Sequence, residues 1–332
     1  MPAESHHERI RAAVGERYRT IRTERARTIL HVQHRICRAI RDFLDRESFT
    51  EFLAPIIGPV TDPGVRGARA LSVSFYGQPY VVMTSMILYK QMAISSIPKM
   101  YSFSPNVRIE PVDVCDTGRH LAEFYQVDLE AAETSMSDIM DLGDRLLSSV
   151  TATIKRECAA QLEFLNRSMI PSPMRLPRIT YSRALGLLES LGTEVEWGSE
   201  IPWDAERVLS SQFSTPFWVT DYPVGSRGFY YLVDPSDPGT LRTMDLLLPE
   251  GFGEVASGGE REHTLEGVIS QMNRTGEDPA RYGWYMDMLR EGVPPSAGFG
   301  IGLERLTRYV CGVRDIWECS PFPKVPGVPR SN

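Results

Sequence analysis

Between Ser296 and Leu306 the chain reads SAGFGIGLERL, with glycines at 298, 300 and 302 and a Glu-Arg pair close behind. A period of two is the period of a β-strand, so the three glycines fall on one face of a single extended segment. A strand face without side chains lets another group approach the backbone closely. The spacing is neither that of the GxGxxG dinucleotide loop, which joins a strand to a helix early in a βαβ unit, nor that of the GxxxxGK[ST] phosphate loop. Beyond the glycines GLERLTRYVCGV turns helical, which sets Arg305 at the next turn, able to reach a phosphate or lie over an aromatic base.

The remaining helices and strands are interspersed without regular βαβ units, which predicts an α+β fold, an antiparallel sheet flanked by helices. ILHVQHRICRAIRDFL places Ile29, Val32, Ile36, Ile40 and Leu44 near helical spacing. EFLAPIIGPV, ARALSVSFYGQPYVVMT, MYSFSPNVRIEP and EFYQVDLEAA read as strands, as do PFWVTDYP and GFYYLVDP. SMILYKQMAI reads as a helix, and SMSDIMDLGDRLLSSVTATIKRECAAQL as a long helix opened by a Ser/Asp cap. Residues 1–28, polar and arginine-rich, read as an N-terminal arm before one folded domain over 29–332.

Composition narrows the function classes. No apolar run is long enough to span a membrane and the N-terminus shows no secretory signal, so a cytoplasmic location is expected. The cysteines at 37, 115, 158, 311 and 319 form no CxxC pair and read as reduced thiols. A net charge of -7 argues against a broad basic surface for nucleic acid.

Two further stretches carry chemistry. In NVRIEPVDVCDTGRHLAEFYQVDLE, Arg108 and Glu110 are two apart on one strand face, a cation for phosphate and an acceptor for an exocyclic amine. Phe124, on the returning strand, is placed to stack on a base. In GFGEVASGGERE, Glu254 and Ser257 supply a carboxylate and a hydroxyl among glycines, oxygen ligands of the kind Mg²⁺ shares with substrate phosphates.

The Arg108–Phe124 stretch and the glycine stretch resemble motifs two and three of the class II aminoacyl-tRNA synthetases, and ESFTEFLAPII, ending around Pro55, is similar to motif one, so that the three follow one another along the chain in the family's order. GRHLAEF, SGGERE and DIWECSPFPKVPG are closest to the aspartyl/asparaginyl subgroup. The resemblance implies ATP as co-substrate with Mg²⁺: Arg108, Arg119, His120 and Arg305 on the phosphates, Glu110 and Phe124 on the adenine, and Glu254 and Ser257 on the metal. Arg108, His120 and Arg305 would be the catalytic set. Ser85, Lys90, Gln126, Ser257, Gly258, Arg261 and Gly298 would line the amino-acid pocket. Motif one forms a subunit interface in this class, which implies a homodimer.

Within the class the wording is most similar to stand-alone asparagine synthetases of archaeal type. Motif one begins too early for an anticodon-binding domain to precede it, and tRNA-charging relatives carry histidine then glycine where this chain has Ser296 and Ala297. Aspartyl-specific members keep a lysine in LYKQ, where Lys90 would meet a second carboxylate. The expectation is therefore an AMP-forming aspartate–ammonia ligase: aspartate activated on its β-carboxylate as aspartyl-AMP, then amidated by free ammonia, without tRNA. The alternatives are a related ligase passing an aspartyl-like group to another amine, a tRNA-charging enzyme, or an inactive binding protein.

Overall fold

Side chains alternate along the strand Glu123–Ala132, and that alternation divides the molecule into two faces. Val127, Leu129 and Ala131 point into the main hydrophobic core, while Gln126 and Asp128 line a cavity on the other face. The computed structural model describes residues 6–63 and 68–328. Its principal sheet has eight strands in the order Thr50–Glu51, Lys99–Val107, Glu123–Ala132, Ser296–Gly302, Gly253–Glu260, Thr243–Leu248, Phe217–Thr220 and Arg178–Thr180. The six central strands are antiparallel to their neighbours, and the short strands at the two edges pair in parallel. This is the class II synthetase-like architecture expected, a large, mostly antiparallel sheet flanked by helices.

The apolar face is covered by the helices Glu24–Arg46, Met136–Glu157 and Leu303–Cys311. In the first of these Ile29, Val32, Ile36, Ile40 and Leu44 are all buried, as their spacing predicts. That helix starts five residues before Ile29, because the Thr23 side chain accepts the Ala26 backbone N–H and caps it earlier. Met136–Glu157 opens with a full capping box between Ser135 and Asp138. GFYYLVDP departs from expectation: only Val233–Asp234 pairs as a strand. Phe229, Tyr230 and Tyr231 are buried in a second core with the helices Ile87–Ala93, Leu265–Thr275 and Gly283–Glu291, so their apolar run records burial, with an isolated antiparallel bridge from Tyr231 to Arg261 in place of a strand.

The expected arm is also different. His6–Gly15 and Arg17–Thr20 are helical, and Ile10, Val14 and Arg17 are buried against the rest of the domain. Cys37, Cys158, Cys311 and Cys319 are free thiols. The side chains of Asp113, Cys115 and Asp116 lie outside the described set. Among the described residues no helix is long and apolar enough to cross a membrane.

Trp218 shows how the core carries its few polar groups. Fully buried, it donates Nε1–H to Asp144 Oδ1 at 2.7 Å, and the Leu176 backbone N–H meets Oδ2 at 3.2 Å. Trp218→Phe keeps most of the apolar volume and strips one donor from the buried carboxylate, so about 1–3 kcal/mol of stability should go. Urea denaturation reads this directly, and a midpoint matching wild type would refute it.

Candidate active site

The polar face of the sheet forms the floor of a cavity of about 490 Å³. Of the residues singled out in the sequence, Ser85, Lys90, Arg108, Glu110, Arg119, His120, Phe124, Gln126, Glu254, Ser257, Arg261 and Arg305 all line it. Gly258 and Gly298 do not. Gly258 is paired with Phe299 on the core side, where an added Cβ would strike the Phe299 side chain.

The glycine strand works differently from expectation. A Cβ at Gly298 would collide with the Glu130 carboxylate, and one at Gly300 would stand 2.9 Å from Asp128 Oδ1. The open space beside these glycines is therefore occupied by the protein's own carboxylates. The role expected of Gly298 as a direct substrate contact is corrected accordingly; its missing side chain makes room for Glu130.

At this end of the cavity Glu130, fully buried, takes a two-point ion pair from Arg261 at 2.9 and 3.0 Å and a hydrogen bond from the Ser296 hydroxyl at 2.9 Å. Lys90 Nζ lies 3.2 Å from Asp128 Oδ1 and 3.4 Å from Glu130 Oε2. Burial alone would raise the Glu130 pKa, but Arg261 and Lys90 outweigh it and hold the carboxyl below its ordinary range. Ser296 is thus a ligand of the buried carboxylate. Arg261 Nη1 is buried without a well-placed acceptor, a donor that an oxygen of a bound molecule would satisfy. Gln126 accepts from Asn106 Nδ2 at 2.9 Å, and Ser85 Oγ accepts the Ile87 backbone N–H at the start of the lysine-bearing helix.

A second ion cluster escaped the sequence reading. Arg227 pairs with Asp245 at 2.6 and 3.0 Å and with Glu200 at 2.8 Å, donates to Ser257 Oγ, and lies over the Tyr222 ring at 3.8 Å. Its neighbours along the chain, VGSRGFYY, carry no recognisable spacing; an arginine inside an apolar run was the only signal.

At the opposite end Arg108 Nε donates to the Thr84 carbonyl at 3.1 Å and its guanidinium lies 5.2 Å from the Phe124 ring centre. His120 Nδ1 is fixed by the Thr117 hydroxyl at 2.7 Å. Arg119 lines the cavity, yet its guanidinium is committed to Glu206 at 2.6 Å and to the Glu254 carbonyl. Through these two bonds Arg119 ties the Glu254 strand to Glu206, and its buried Nε–H has no acceptor among the described residues. Arg305 Nη1 meets Glu254 Oε1 at 3.0 Å.

Glu254 and Ser257 are three apart and would face opposite sides of a regular strand. A bulge corrects this: Glu254 pairs with Leu247 and Ala256 with Leu246, so Val255 is the extra residue and both polar side chains turn to the cavity. Among the described residues no group of three or more His, Cys, Asp or Glu is arranged to hold a metal. One carboxylate and one hydroxyl fit only an ion whose remaining ligands are substrate oxygens and water, as Mg²⁺ accepts.

A ligand-binding cavity on the polar face of this sheet, with cations at one end and a balanced ion network at the other, defines a class II synthetase catalytic core. The match to tRNA synthetases class II (D, K and N) extends over residues 9–326, and the chain belongs to that family. It is a ligase that uses ATP. The chain is 33% identical to the asparagine–tRNA ligase of Pyrococcus abyssi over 93% of its own length and 71% of the relative's, and 32% identical to that of Thermococcus kodakarensis over 93% and 72%. The crystal structure of asparaginyl-tRNA synthetase from Pyrococcus horikoshii complexed with asparaginyl-adenylate superposes with a TM-score of 0.89 at 32% identity, covering 95% of this chain and 72% of that one.

These relatives overturn two expectations. An aspartate–ammonia ligase making free asparagine is not what the chain resembles, and free ammonia has no support as a substrate. The exclusion of tRNA also fails, since the relatives are tRNA ligases. Net charge averages over the whole surface and hides local distribution: residues 1–28 hold seven arginines against four glutamates in a chain of net charge -7.

Glu304, at the head of the helix after the glycines, accepts the Tyr125 backbone N–H through both oxygens and is raised to about 8, chiefly by burial. The folded protein then keeps a proton that the unfolded chain releases near the ordinary glutamate value. Stability from this group is full below that value and falls as pH rises toward 8. Glu304→Gln should flatten the decline between pH 5 and 8 in denaturation midpoints (about the window set by the two pKa values). An unchanged slope would count against it.

Proposed function

We propose that this chain activates an amino acid with ATP as an aminoacyl-adenylate and transfers the acyl group to the 3′ end of a tRNA, with asparagine as the amino acid. The single observation that carries the reading is the match, at 32–33% identity over nearly the whole chain, to asparagine–tRNA ligases, one of them seen with asparaginyl-adenylate. Carboxylates are poor electrophiles, which is why activation precedes transfer. The α-carboxylate attacks the α-phosphorus and pyrophosphate leaves; a terminal ribose hydroxyl of the tRNA then attacks the acyl carbon and AMP leaves.

Catalysis of the first step is positioning and charge neutralisation. In this reading Arg108 holds the α-phosphate and Arg305 and His120 the β/γ end, with Glu110 and Phe124 on the adenine. Glu254 and Ser257 would hold Mg²⁺, which neutralises phosphate charge when bound. The amino acid lies over Lys90, Gln126 and Arg261, where the spare Arg261 donor supports recognition of a side-chain oxygen. We also infer a homodimer: in the motif-one segment Leu53 and Ile56 are exposed at 90% and 61%, an apolar surface suited to a partner copy.

One observation favours a second reading with aspartate in place of asparagine. Lys90 lies at the cavity wall beside Asp128 and Glu130, and a substrate carboxylate there would share its ammonium with them.

Pyrophosphate exchange with a panel of amino acids, followed by charging of total tRNA, tests both readings. Asparagine-dependent exchange with acid-stable label on RNA is expected. Aspartate-dependent exchange selects the second reading, and exchange without any RNA-linked product overturns tRNA charging. Arg305→Ala should abolish exchange while the far-ultraviolet circular dichroism stays native; retained exchange would show the phosphate end to be misassigned.

A further inference from the structure

The N-terminal helices read in the sequence as a polar arm of no assigned role. Their buried residues join them to the site. Ile10 and Val14 form a small core with Leu121, Ile316, Val325 and Val328, against which Phe124 and Trp317 pack. This cluster is distinct from the main core behind the sheet. Arg17, 2% exposed, donates Nη2–H to the Ser320 carbonyl at 2.8 Å and Nε–H to the Pro321 carbonyl at 3.2 Å, with its guanidinium 5.6 Å from the centre of the Trp317 ring.

The segment that Arg17 grips is bonded in turn to the loop carrying His120 and Phe124. The Ile316 N–H donates to the Gly118 carbonyl at 2.8 Å, and the Ala122 N–H donates to the Lys324 carbonyl at 2.7 Å. Gly118 and Ala122 flank His120, and Ile316 itself lines the cavity. Gly118 has a φ of +66°, and a Cβ there would stand 2.9 Å from Asp315 Oδ1, so the loop is shaped to fit this partner closely.

We propose that Arg17 is a positioning residue for the nucleotide site: through the Ser320–Pro321 backbone it holds the C-terminal segment that fixes His120 and Phe124. The inference rests on reading those two residues as nucleotide contacts. Arg17 is one of seven arginines in the first 28 residues, and it is buried where it can make two main-chain bonds. Lysine could replace only one of them.

The test compares wild type, Arg17→Ala, Arg17→Lys and a control, Leu188→Ala, in a separate hydrophobic core that shares no residue with the Ile10–Val14 cluster. ATP affinity is read by titration calorimetry, and KM for ATP and for the amino acid by pyrophosphate exchange. Arg17→Ala should weaken ATP about tenfold in both measurements, well inside the roughly hundredfold cost of a 1 Å misplacement. Its amino-acid KM should stay near wild type, and Arg17→Lys should recover part of the loss. Leu188→Ala should lower Tm without moving ATP affinity. Wild-type ATP affinity in Arg17→Ala, or an equal rise in both KM values, overturns the proposal. If Arg17→Ala does not fold, Val14→Ala carries the same comparison. Should wild type bind ATP without amino-acid-dependent exchange, the functional reading fails while the calorimetric arm still decides the role of Arg17.

Discussion

A carboxylate with no solvent contact, Glu130, lies at one end of the polar face, and much of that end of the site is arranged to keep it ionised. Arg261 grips it from the neighbouring strand system, Lys90 approaches from the helix above, and the Ser296 hydroxyl closes the third side. Removing one cation from such a cluster costs about 3–5 kcal/mol, because a buried charge is left without its partner. Gly298 must lack a side chain for the carboxylate to fit, and Lys90 must be buried to reach it. One ionised group thereby fixes the relative placement of the strands Glu123–Ala132, Gly253–Glu260 and Ser296–Gly302 and of the helix Ile87–Ala93.

Much of this was legible in the residues. Alternation in EFYQVDLEAA separated an apolar face from a polar one, the helical spacing of Ile29 to Leu44 marked the helix that covers the apolar face, and the period-two glycines marked a central strand. Such patterns survive in a sequence because periodicity is local. The polar residues of the three motifs converge on one cavity for a related reason: the strands that carry them are neighbours in the sheet, and each contributes side chains from a single face.

What was missed depends on contacts between distant parts of the chain. Arg227 finds Asp245 and Glu200 only once the sheet has formed, and nothing in VGSRGFYY marks it. The bulge that turns Glu254 and Ser257 to one side is a mismatch of register between two strands, invisible in either alone. The first helices looked polar because, among the described side chains, only two apolar ones are buried, Ile10 and Val14, and the third buried side chain is an arginine, Arg17. Reading Ser296 as a sign of a different reaction failed for the same reason: its hydroxyl is spent on Glu130 rather than on choosing between acceptors.

The cations of the cavity differ in how far their charge is already paired. Lys90 and Arg261 are neutralised by Asp128 and Glu130, Arg227 by Asp245 and Glu200, and Arg119 by Glu206. Among the described residues the Arg108 guanidinium instead meets the Thr84 carbonyl and the face of Phe124. A carbonyl and an aromatic ring stabilise a guanidinium without cancelling its charge, so the field of Arg108 remains available to an incoming anion. Arg305, paired to a partly exposed Glu254, is the next most available. An ATP molecule would therefore set its phosphates at the Arg108 and Arg305 end, and the neutralised Lys90 and Arg261 end would receive the zwitterion of an amino acid. In the proposed reaction that polarity, more than any single contact, would turn the reacting carboxylate toward the α-phosphorus.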